Sequence, residues 1–318
     1  MHMADALVSP PVATGMAVAS LAVGAYSIFR IKKENKPENI PVMGVMGAFV
    51  FATQMVNFTI PGTGSSGHLC GGLLLSALIG PYGGFLSMMA ILLLQCLLFA
   101  DGGLMAYGCN VWNMAFYACF FGYFCIYKPI LSKNPSKKKI LIASILGSVL
   151  SLQLGAFSVT LETLISGVTE LPFLTFLSFM QPIHLAIGFV EGLITSAVLI
   201  FVYNTRPEML NINEKSNEFS FKKVIAILGI VTILIGGGIS LLASSSPDGL
   251  EWSMENVAGS TELDSKGSAY DKASEIQEKT AILPDYSISN SSNEILGTSF
   301  SGILGSVLVA VILIGGSL

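Results

Sequence analysis

Hydrophobic runs recur along the whole chain and predict a bundle of membrane-spanning helices. A helix needs about 20 apolar residues to cross a bilayer. We place such runs at 12–29, 42–60, 69–80, 84–100, 104–127, 140–158, 172–203, 224–243 and 300–318. The third run is short, and Pro182 is predicted to break the seventh, so that a full helix begins at Ile183. The predicted fold is an all-α membrane protein of about nine transmembrane helices.

A polar stretch near 204–223 divides this pattern into two units. The first unit, 1–210, is a seven-span core, and 211–223 is a linker. The second unit, 224–318, has one span, a polar segment at 244–299, and a second span. Ser, Asp and Glu dominate 244–299, where three lysines and ten acidic residues give a net charge of −7. Few apolar positions predict that this segment is only partly ordered.

Composition agrees with a membrane protein. Only 11% of the 318 residues are charged and 52% are hydrophobic, against about 25% charged residues in soluble domains. The first eleven residues lack a basic region and a small-residue cleavage site, so we expect no secretory signal. We also expect the bulky His2 to protect Met1 from removal. The five cysteines form no C-x-x-C pair and are expected to be small buried residues.

The basic residues predict the orientation. Thirteen of the 16 lie in three connections that alternating spans place on one side, which the positive-inside rule makes cytoplasmic. The N-terminus is then extracytoplasmic and the C-terminus cytoplasmic. The loop 61–68, the turn 101–103 and the segment 244–299 share the extracytoplasmic face with the N-terminus, and the linker 211–223 is cytoplasmic.

This arrangement allows the chain's first two residues to meet His68. The Met1 amine, the His2 amide nitrogen and the His2 imidazole can close two fused chelate rings on one metal ion. The His68 imidazole would complete four nitrogens in a plane, which suits Ni(II) or Cu(II) better than Zn(II). The glycines and hydroxyls before His68, Ser66 among them, let the loop fold tightly and cap the next helix. The alternative is a solvated terminus and a loop histidine bonded to the backbone.

Several polar residues could support these ligands. Asp5 could orient an imidazole, Cys70 lies two residues from His68, and Asp101 lies in the shared turn. Two amide pairs, each three residues apart, could either join helices or hold the metal loop and the N-terminus: Gln54 with Asn57, and Asn110 with Asn113.

His184 and Glu191 are seven residues apart and share a helix face inside the seventh span. A proton relay or a second ion site is conceivable for two ionisable groups in a membrane. We favour a structural pair that holds neighbouring helices together.

No catalytic or nucleotide-binding motif is present. The chain has no G-x-x-x-x-G-K-[ST] run, no nucleophile motif and no H-E-x-x-H, so we expect neither an enzyme nor bound nucleotide. If ATP drives transport, another subunit must supply the ATPase. Nothing in the chain suggests a nucleic-acid partner.

Taken together, these motifs resemble the CbiM/NikM family, the metal-capturing membrane subunits of cobalt and nickel energy-coupling-factor (ECF) transporters. The second unit resembles the CbiN/NikN accessory component with its Pro-Asp-Gly-Leu-Glu signature at 247–251. The matching stretches are Met1–Asp5, Gln54–Phe58, Gly62–Leu69 with Gly71-Gly72, Ala100–Gly103, Gly108–Asn110, Asn113-Met114, and His184 through Glu191–Thr195.

The resemblance implies a function and partners. Met1, His2 and His68 would be the metal ligands, in a core like an S-component in a prokaryotic cell (inner) membrane. A transmembrane coupling protein and two cytoplasmic ATPases would complete the importer. Cys70 departs from the aliphatic residue expected there, and we expect it to pack.

Two rival functions remain at this point. A self-sufficient secondary transporter or channel for divalent cations would need charged residues along a continuous path. An intramembrane metalloenzyme would need an open coordination position and a general base. The sequence does not separate nickel from cobalt, because the same ligands serve both.

Overall fold

The chain is mostly helical in its computed structural model, which describes residues 1–34, 39–210, 212, 219–288 and 294–316. A short two-stranded antiparallel ribbon and several 3₁₀ turns connect the helices. The strands are β1 (Phe58–Ile60) and β2 (Ser65–Gly67). The helices are α1 (Pro10–Glu34), α2 (Asn39–Gln54), α3 (Gly72–Phe99), α4 (Tyr107–Leu131), α5 (Lys137–Ser166), α6 (Phe173–Thr205), α7 (Phe221–Gly237), α8 (Gly249–Ala258), α9 (Ser268–Thr280) and α10 (Glu294–Gly315).

Six helices in the described part of the chain are long and apolar enough to cross a membrane. They are α1, α3, α4, α5, α6 and the Gly297–Gly315 part of α10. The chain is therefore a helical membrane protein, with a shorter apolar helix at Ile40–Gln54. The structure gives six candidate spans where the sequence predicted about nine.

Part of that difference lies in α3, which joins two predicted spans. Gly80 has φ +81° and ψ 161°, outside the helical region, and Pro81 begins the second arm. Only glycine adopts such a φ at little cost, and proline is tolerated at the start of a helix. The two arms contact each other, since a Cβ on Gly84 would lie 2.6 Å from the Ser76 hydroxyl. The chain therefore folds back at Gly80, which returns residue 99 towards the end of the bundle that holds the N-terminus.

The predicted second span also ends earlier than expected. Helix α2 stops at Gln54, and Phe58–Ile60 is a strand that pairs with Ser65–Gly67. Gly62 and Gly64 have φ of +78° and +76°, which reverses the chain between the strands.

Most of α4, Val111–Tyr127, has π-helical hydrogen bonding.

The prediction of a break at Pro182 was wrong, because α6 runs unbroken from Phe173 to Thr205. The side chains next to the proline tie α6 to α5. Gln153 donates to the Gln181 carbonyl at 2.9 Å, and Gln181 donates to the Gln153 carbonyl at 3.2 Å. These reciprocal bonds hold the helix across a position where proline removes one backbone bond.

The acidic segment 244–299 carries more structure than its composition predicted. It contains α8 and α9 and the 3₁₀ turn Pro284–Tyr286. Of the predicted linker 211–223, residues 211 and 213–218 lie outside the described residues, as do 289–293 of the acidic segment. Helices α7 and α10 pack on each other and on α2 through glycines: Gly236 against Gly302, Gly47 against Leu313, and Gly305 against Phe51. The second unit is thus packed on the core.

Candidate metal site

The N-terminal segment lies inside the bundle and is held by its backbone. The Met3 amide donates to the Asn110 side-chain oxygen at 2.7 Å, and the Asn110 amide group donates back to the Met3 carbonyl at 3.1 Å. Gly103 donates a further bond to the same carbonyl at 2.9 Å. The Asp5 carboxylate accepts from the Ala106 amide at 2.9 Å. A terminus with these partners is fixed, contrary to the usual fraying of chain ends.

The loop that carries His68 is held by Glu191 of α6. The two oxygens of this buried carboxylate accept the amides of Cys70, at 3.1 Å, and Gly71, at 3.0 Å. Gln54 adds a bond from its side chain to the Cys70 carbonyl at 2.8 Å. Glycine is required at position 71, where φ is +86° and a Cβ would lie 2.5 Å from Val50. These contacts fix the backbone directly after His68.

The Met1 amine, His2 and His68 meet at this point. The Met1 nitrogen lies 3.4 Å from His68 Nε2, and Met1 and His68 are 6% and 9% exposed. His68 Nδ1 donates to the Leu69 carbonyl at 3.1 Å, which leaves the lone pair of Nε2 facing the amine. The rings of His2 and His68 stack with centroids 5.3 Å apart and planes 21° apart. Two imidazoles and the chain terminus are thus gathered in one buried place.

The two ring nitrogens of His2 contact separate side chains. Nδ1 lies 3.2 Å from Asp101 Oδ1, and Nε2 lies 3.3 Å from Gln95 Oε1. The Tyr286 hydroxyl donates to Asp101 Oδ2 at 2.6 Å and accepts from the Gln95 amide group at 3.3 Å. Both ring nitrogens of His2 thus face acceptors, and a neutral imidazole can donate to only one of them at a time. His2, Gln95, Tyr286 and Asp101 form a closed ring of polar contacts.

The second unit supplies an anion to the site. The Asp248 carboxylate forms an ion pair with the Met1 amine through Oδ2. Its Oδ1 accepts the Leu250 amide at 2.7 Å and the Glu251 amide at 2.9 Å, so Asp248 also caps α8. The side chain of Glu251 returns a bond to the Asp248 amide, which completes a capping box.

Further bonds join α8 and its approach to the loop before His68. Ser66 donates its amide to the Pro247 carbonyl at 2.8 Å and its hydroxyl to the Ser246 carbonyl at 2.8 Å. Trp252 Nε1 donates to the Thr63 carbonyl at 2.9 Å. The Asn57 carbonyl accepts from the Ser244 amide at 2.7 Å. The second unit therefore covers the site.

A cavity of about 580 Å³ lies between the two units and reaches the site. His2, Gln54, Asn57 and His68 line it, and so do six acidic residues: Asp5, Asp101, Asp248, Glu251, Glu262 and Asp285. No cationic side chain is among its described lining residues. The cavity walls therefore attract cations.

Burial and the neighbouring charges decide the protonation of the site. Burial lowers the pKa of His68 to about 3, and the Met1 ammonium group contributes, so the imidazole is neutral at pH 7. Burial also lowers the pKa of His2, although Asp101 opposes this shift. For Asp248, burial is the largest influence and would raise the pKa. The charge of the Met1 ammonium group, the neighbouring His68 and the hydrogen bonds from Met1 and the Glu251 amide together hold the pKa below its ordinary value. Neutral imidazoles are the form that binds metal ions.

The predicted pairing of His184 with Glu191 was wrong. Glu191 binds the backbone of the His68 loop, whereas His184 donates from Nδ1 to the Met180 carbonyl at 2.8 Å. Each side chain holds a backbone segment independently.

The amides and the thiol also have definite partners. Asn113 donates to Glu162 of α5 at 2.7 Å, which places a buried carboxylate behind the N-terminal segment. Cys70 is buried, and its thiol lies 3.0 Å from the Met114 carbonyl, so it packs as expected.

Sequence reasoning missed four residues of this region: Gln95, Glu162, Asp248 and Tyr286. Asp248 belongs to the Pro-Asp-Gly-Leu-Glu signature of the second unit, yet its distance along the chain hid its contact with Met1. Gln95 is the one amide side chain of α3 and Glu162 is the one acidic residue of α5, which was the available signal.

Within the described residues, no three His, Cys, Asp or Glu side chains stand close enough together to hold a metal ion. A site here needs backbone nitrogen. The Met1 amine, the His2 amide and the two imidazoles supply four nitrogen donors, which is a set that Ni(II) accepts. This chemistry fits the residues present.

Comparisons with known proteins agree with both units. Residues 2–209 match the family described as cobalt uptake substrate-specific transmembrane region (CbiM), and residues 222–318 match the PDGLE domain. A putative fused nickel transport protein, NikMN, from Archaeoglobus fulgidus is 32% identical over 309 residues, covering 97% of this chain and 95% of the relative. A probable fused nickel transport protein, LarMN, from Lactiplantibacillus plantarum is 31% identical over 267 residues, covering 81% and 79%.

A solved structure supports the fold of the core. A crystal structure described as a truncated transition metal transporter shares 29% sequence identity with a TM-score of 0.56. The match covers 64% of this chain and 98% of that one.

Proposed function

The chain belongs to the CbiM family of cobalt uptake transmembrane regions, and from this premise we propose that it captures Ni²⁺ or Co²⁺ and delivers it for ATP-driven import. The family resemblance drawn from the sequence is confirmed, and the relatives are metal transport proteins rather than enzymes. We propose that Met1, His2 and His68 bind the cation. The observation that carries this proposal is the burial of the Met1 amine 3.4 Å from the lone pair of His68, beside the stacked ring of His2.

The cation must displace the contacts of the metal-free site. The Met1 amine binds metal only after it loses its proton and leaves Asp248, and the His2 amide nitrogen binds only after it releases its own proton, so both protons pass to solvent. Of the two ring nitrogens of His2, Nδ1 is fewer bonds away from the amide nitrogen of the same residue. A metal bound to both nitrogens therefore closes a six-membered chelate ring. Nδ1 now contacts Asp101. Binding therefore exchanges two carboxylate contacts for metal–nitrogen bonds, and the carboxylates remain beside the cation to balance its charge.

We propose that the chain acts with a transmembrane coupling protein and two cytoplasmic ATPases, in a prokaryotic cell membrane. The site then faces the extracytoplasmic side with the N-terminus, and the C-terminus is cytoplasmic. Residues 1–210 form the capture core, 211–223 the cytoplasmic linker, and 224–318 the accessory unit whose segment 244–299 covers the site. The acidic cavity supports this segment as the entrance for cations.

A self-sufficient transporter or channel is the second candidate. The positions of the buried acidic and histidine side chains argue against this candidate. Inside the described spans, the buried acidic and histidine side chains are Glu162, His184 and Glu191. Each contacts a protein partner at 2.7 to 3.1 Å. They hold structure rather than form a path for ions. Uptake by proteoliposomes that contain this chain alone would support the second candidate; no uptake without the ATPase partners supports the first.

The test of the ligand set is a one-residue extension before Met1. An added glycine converts the amine into an amide, which removes a ligand and introduces atoms into a buried space. We expect Ni²⁺ affinity to fall by at least about 100-fold, more than the 10- to 100-fold typical of losing a supporting group. Mass spectrometry checks that the wild-type chain starts at Met1.

His68→Ala is the companion variant. It removes one of the four nitrogens, and we expect metal binding to be lost while the protein still inserts and remains monodisperse in detergent. Unchanged Ni²⁺ affinity in the extended chain or in His68→Ala would refute the proposed site.

A further inference from the structure

We propose that Tyr286 of the accessory unit is a positioning residue for the metal ligand His2. This inference rests on the proposed function, since it assumes that His2 binds the cation. Tyr286 lies 284 positions after His2 in the chain, and its hydroxyl does not contact His2 directly. Its basis is the ring of polar contacts formed by His2, Gln95, Tyr286 and Asp101.

The first step is the tautomer that His2 needs. Nδ1 must carry the free lone pair to complete the chelate, so the proton of the neutral ring must lie on Nε2. Gln95 Oε1, 3.3 Å from Nε2, accepts that proton. Outer partners of this kind fix the tautomer and the orientation of metal-binding histidines. Gln95 is fully buried, so no water competes for the position.

The second step is the orientation of Gln95. A glutamine side chain can present either its oxygen or its NH₂ group to His2. Its NH₂ group now donates to the Tyr286 hydroxyl at 3.3 Å, which leaves the oxygen facing His2. Reversal would direct the NH₂ group at Nε2 and favour the opposite tautomer, with the proton on Nδ1. That tautomer cannot close the chelate.

The third step is the direction of the Tyr286 hydroxyl. Its proton is committed to Asp101 Oδ2 at 2.6 Å, a short bond of the kind that an ionised acceptor forms. The oxygen can therefore only accept from Gln95. Tyr286 is held in place by stacking on Phe99, with centroids 4.6 Å apart and planes 19° apart. Through this chain of bonds, one hydroxyl of the accessory unit keeps an acceptor on Nε2 of His2. It thereby favours the metal-binding tautomer over the one in which Nδ1 donates to Asp101.

When the cation binds Nδ1, only the contact of His2 with Asp101 is lost. The bonds from His2 to Gln95, from Gln95 to Tyr286 and from Tyr286 to Asp101 are compatible with a loaded site. The accessory unit therefore contributes to affinity without supplying a ligand through this residue.

The experiment compares Ni²⁺ affinity in the full chain for Tyr286→Phe and Tyr270→Phe. The first variant removes the hydroxyl and keeps the ring on Phe99, and we expect about a tenfold loss, the upper end of what one hydrogen bond between neutral groups contributes. Tyr270 is the matched control, because its hydroxyl binds the Val8 carbonyl at 3.0 Å and has no link to His2. We expect its loss to leave affinity unchanged.

A double-variant cycle tests the route. Gln95→Met removes the group through which Tyr286 acts, so adding Tyr286→Phe to it should cost no further affinity. Additive losses would show that the hydroxyl acts independently of Gln95 and would overturn the proposal. So would wild-type affinity in Tyr286→Phe.

His2→Ala separates this proposal from the proposed function. Loss of binding in His2→Ala together with wild-type affinity in Tyr286→Phe refutes only the positioning role. Retained binding in His2→Ala refutes the ligand assignment, and the positioning role with it.

Discussion

Replacing Glu191 by glutamine tests how the core presents His68. The carboxylate is 1% exposed and accepts two successive amides, from Cys70 at 3.1 Å and from Gly71 at 3.0 Å. Glutamine has nearly the same shape but keeps one acceptor oxygen. Its NH₂ group would face the second amide, donor against donor.

The structure sets the size of the effect. A hydrogen bond to a charged group contributes about 1.5–3 kcal/mol, and Glu191→Gln removes at least one of the two. Since 1.4 kcal/mol is a tenfold change in an equilibrium constant, full coupling to the position of His68 predicts a Kd for Ni²⁺ about 10- to 100-fold higher. The loop can relax towards solvent at the cavity, so part of the loss can appear as lower stability instead.

The assay pairs isothermal titration of Ni²⁺ with thermal unfolding of the metal-free protein in detergent. Glu275→Gln is the control for the charge change, because Glu275 is exposed and pairs with Lys279 in α9, away from the site. We expect the control to match the wild type in both measurements. A lower melting temperature with unchanged Ni²⁺ affinity would refute the reasoning, because Glu191 would then stabilise the fold without positioning His68.

Two further predictions concern the N-terminal segment. A Cβ on Gly103 would lie 2.0 Å from the Asp5 carboxylate, so Gly103→Ala should displace residues 1–5 and abolish high-affinity Ni²⁺ binding; Gly229→Ala, with no atom within 4 Å, should bind normally, and equal affinities would contradict the prediction. Asp248→Asn removes the anion that pairs with the Met1 amine while keeping an oxygen to cap α8, so an amine-specific reagent should acylate Met1 several-fold faster in the metal-free protein. An unchanged labelling rate, followed by mass spectrometry, would show that the ion pair does not protect the terminus.

The sequence predicted the class of fold and the family because both depend on local pattern. Apolar runs report the length of a helix directly, and the ordered motifs identify a family without any geometry. The boundaries of the helices were harder to predict from the sequence. Pro182 is compatible with a continuous α6 only because Gln181 and Gln153 bond across the helix pair. The two predicted spans at 69–80 and 84–100 are the two arms of α3, and the chain turns back between them at Gly80.

The candidate ligands could also be proposed from the sequence, because the amine, amide and imidazole of the first two residues can form chelate rings and the charge distribution puts His68 on the same face. Their partners could not. Asp248 lies 247 positions from the Met1 amine and Tyr286 lies 185 positions from Asp101, and contacts at such separation leave no periodic trace in a single chain.

Tertiary structure therefore decided which polar groups support the site, because a side chain's partner depends on how helices pack and not on its neighbours in sequence. Glu191 illustrates the difference. Its position seven residues after His184 suggested a pair on one helix face, but packing turns it to the amides of Cys70 and Gly71, the nearest unpaired donors in an apolar interior. A buried carboxylate must find such donors wherever the fold provides them.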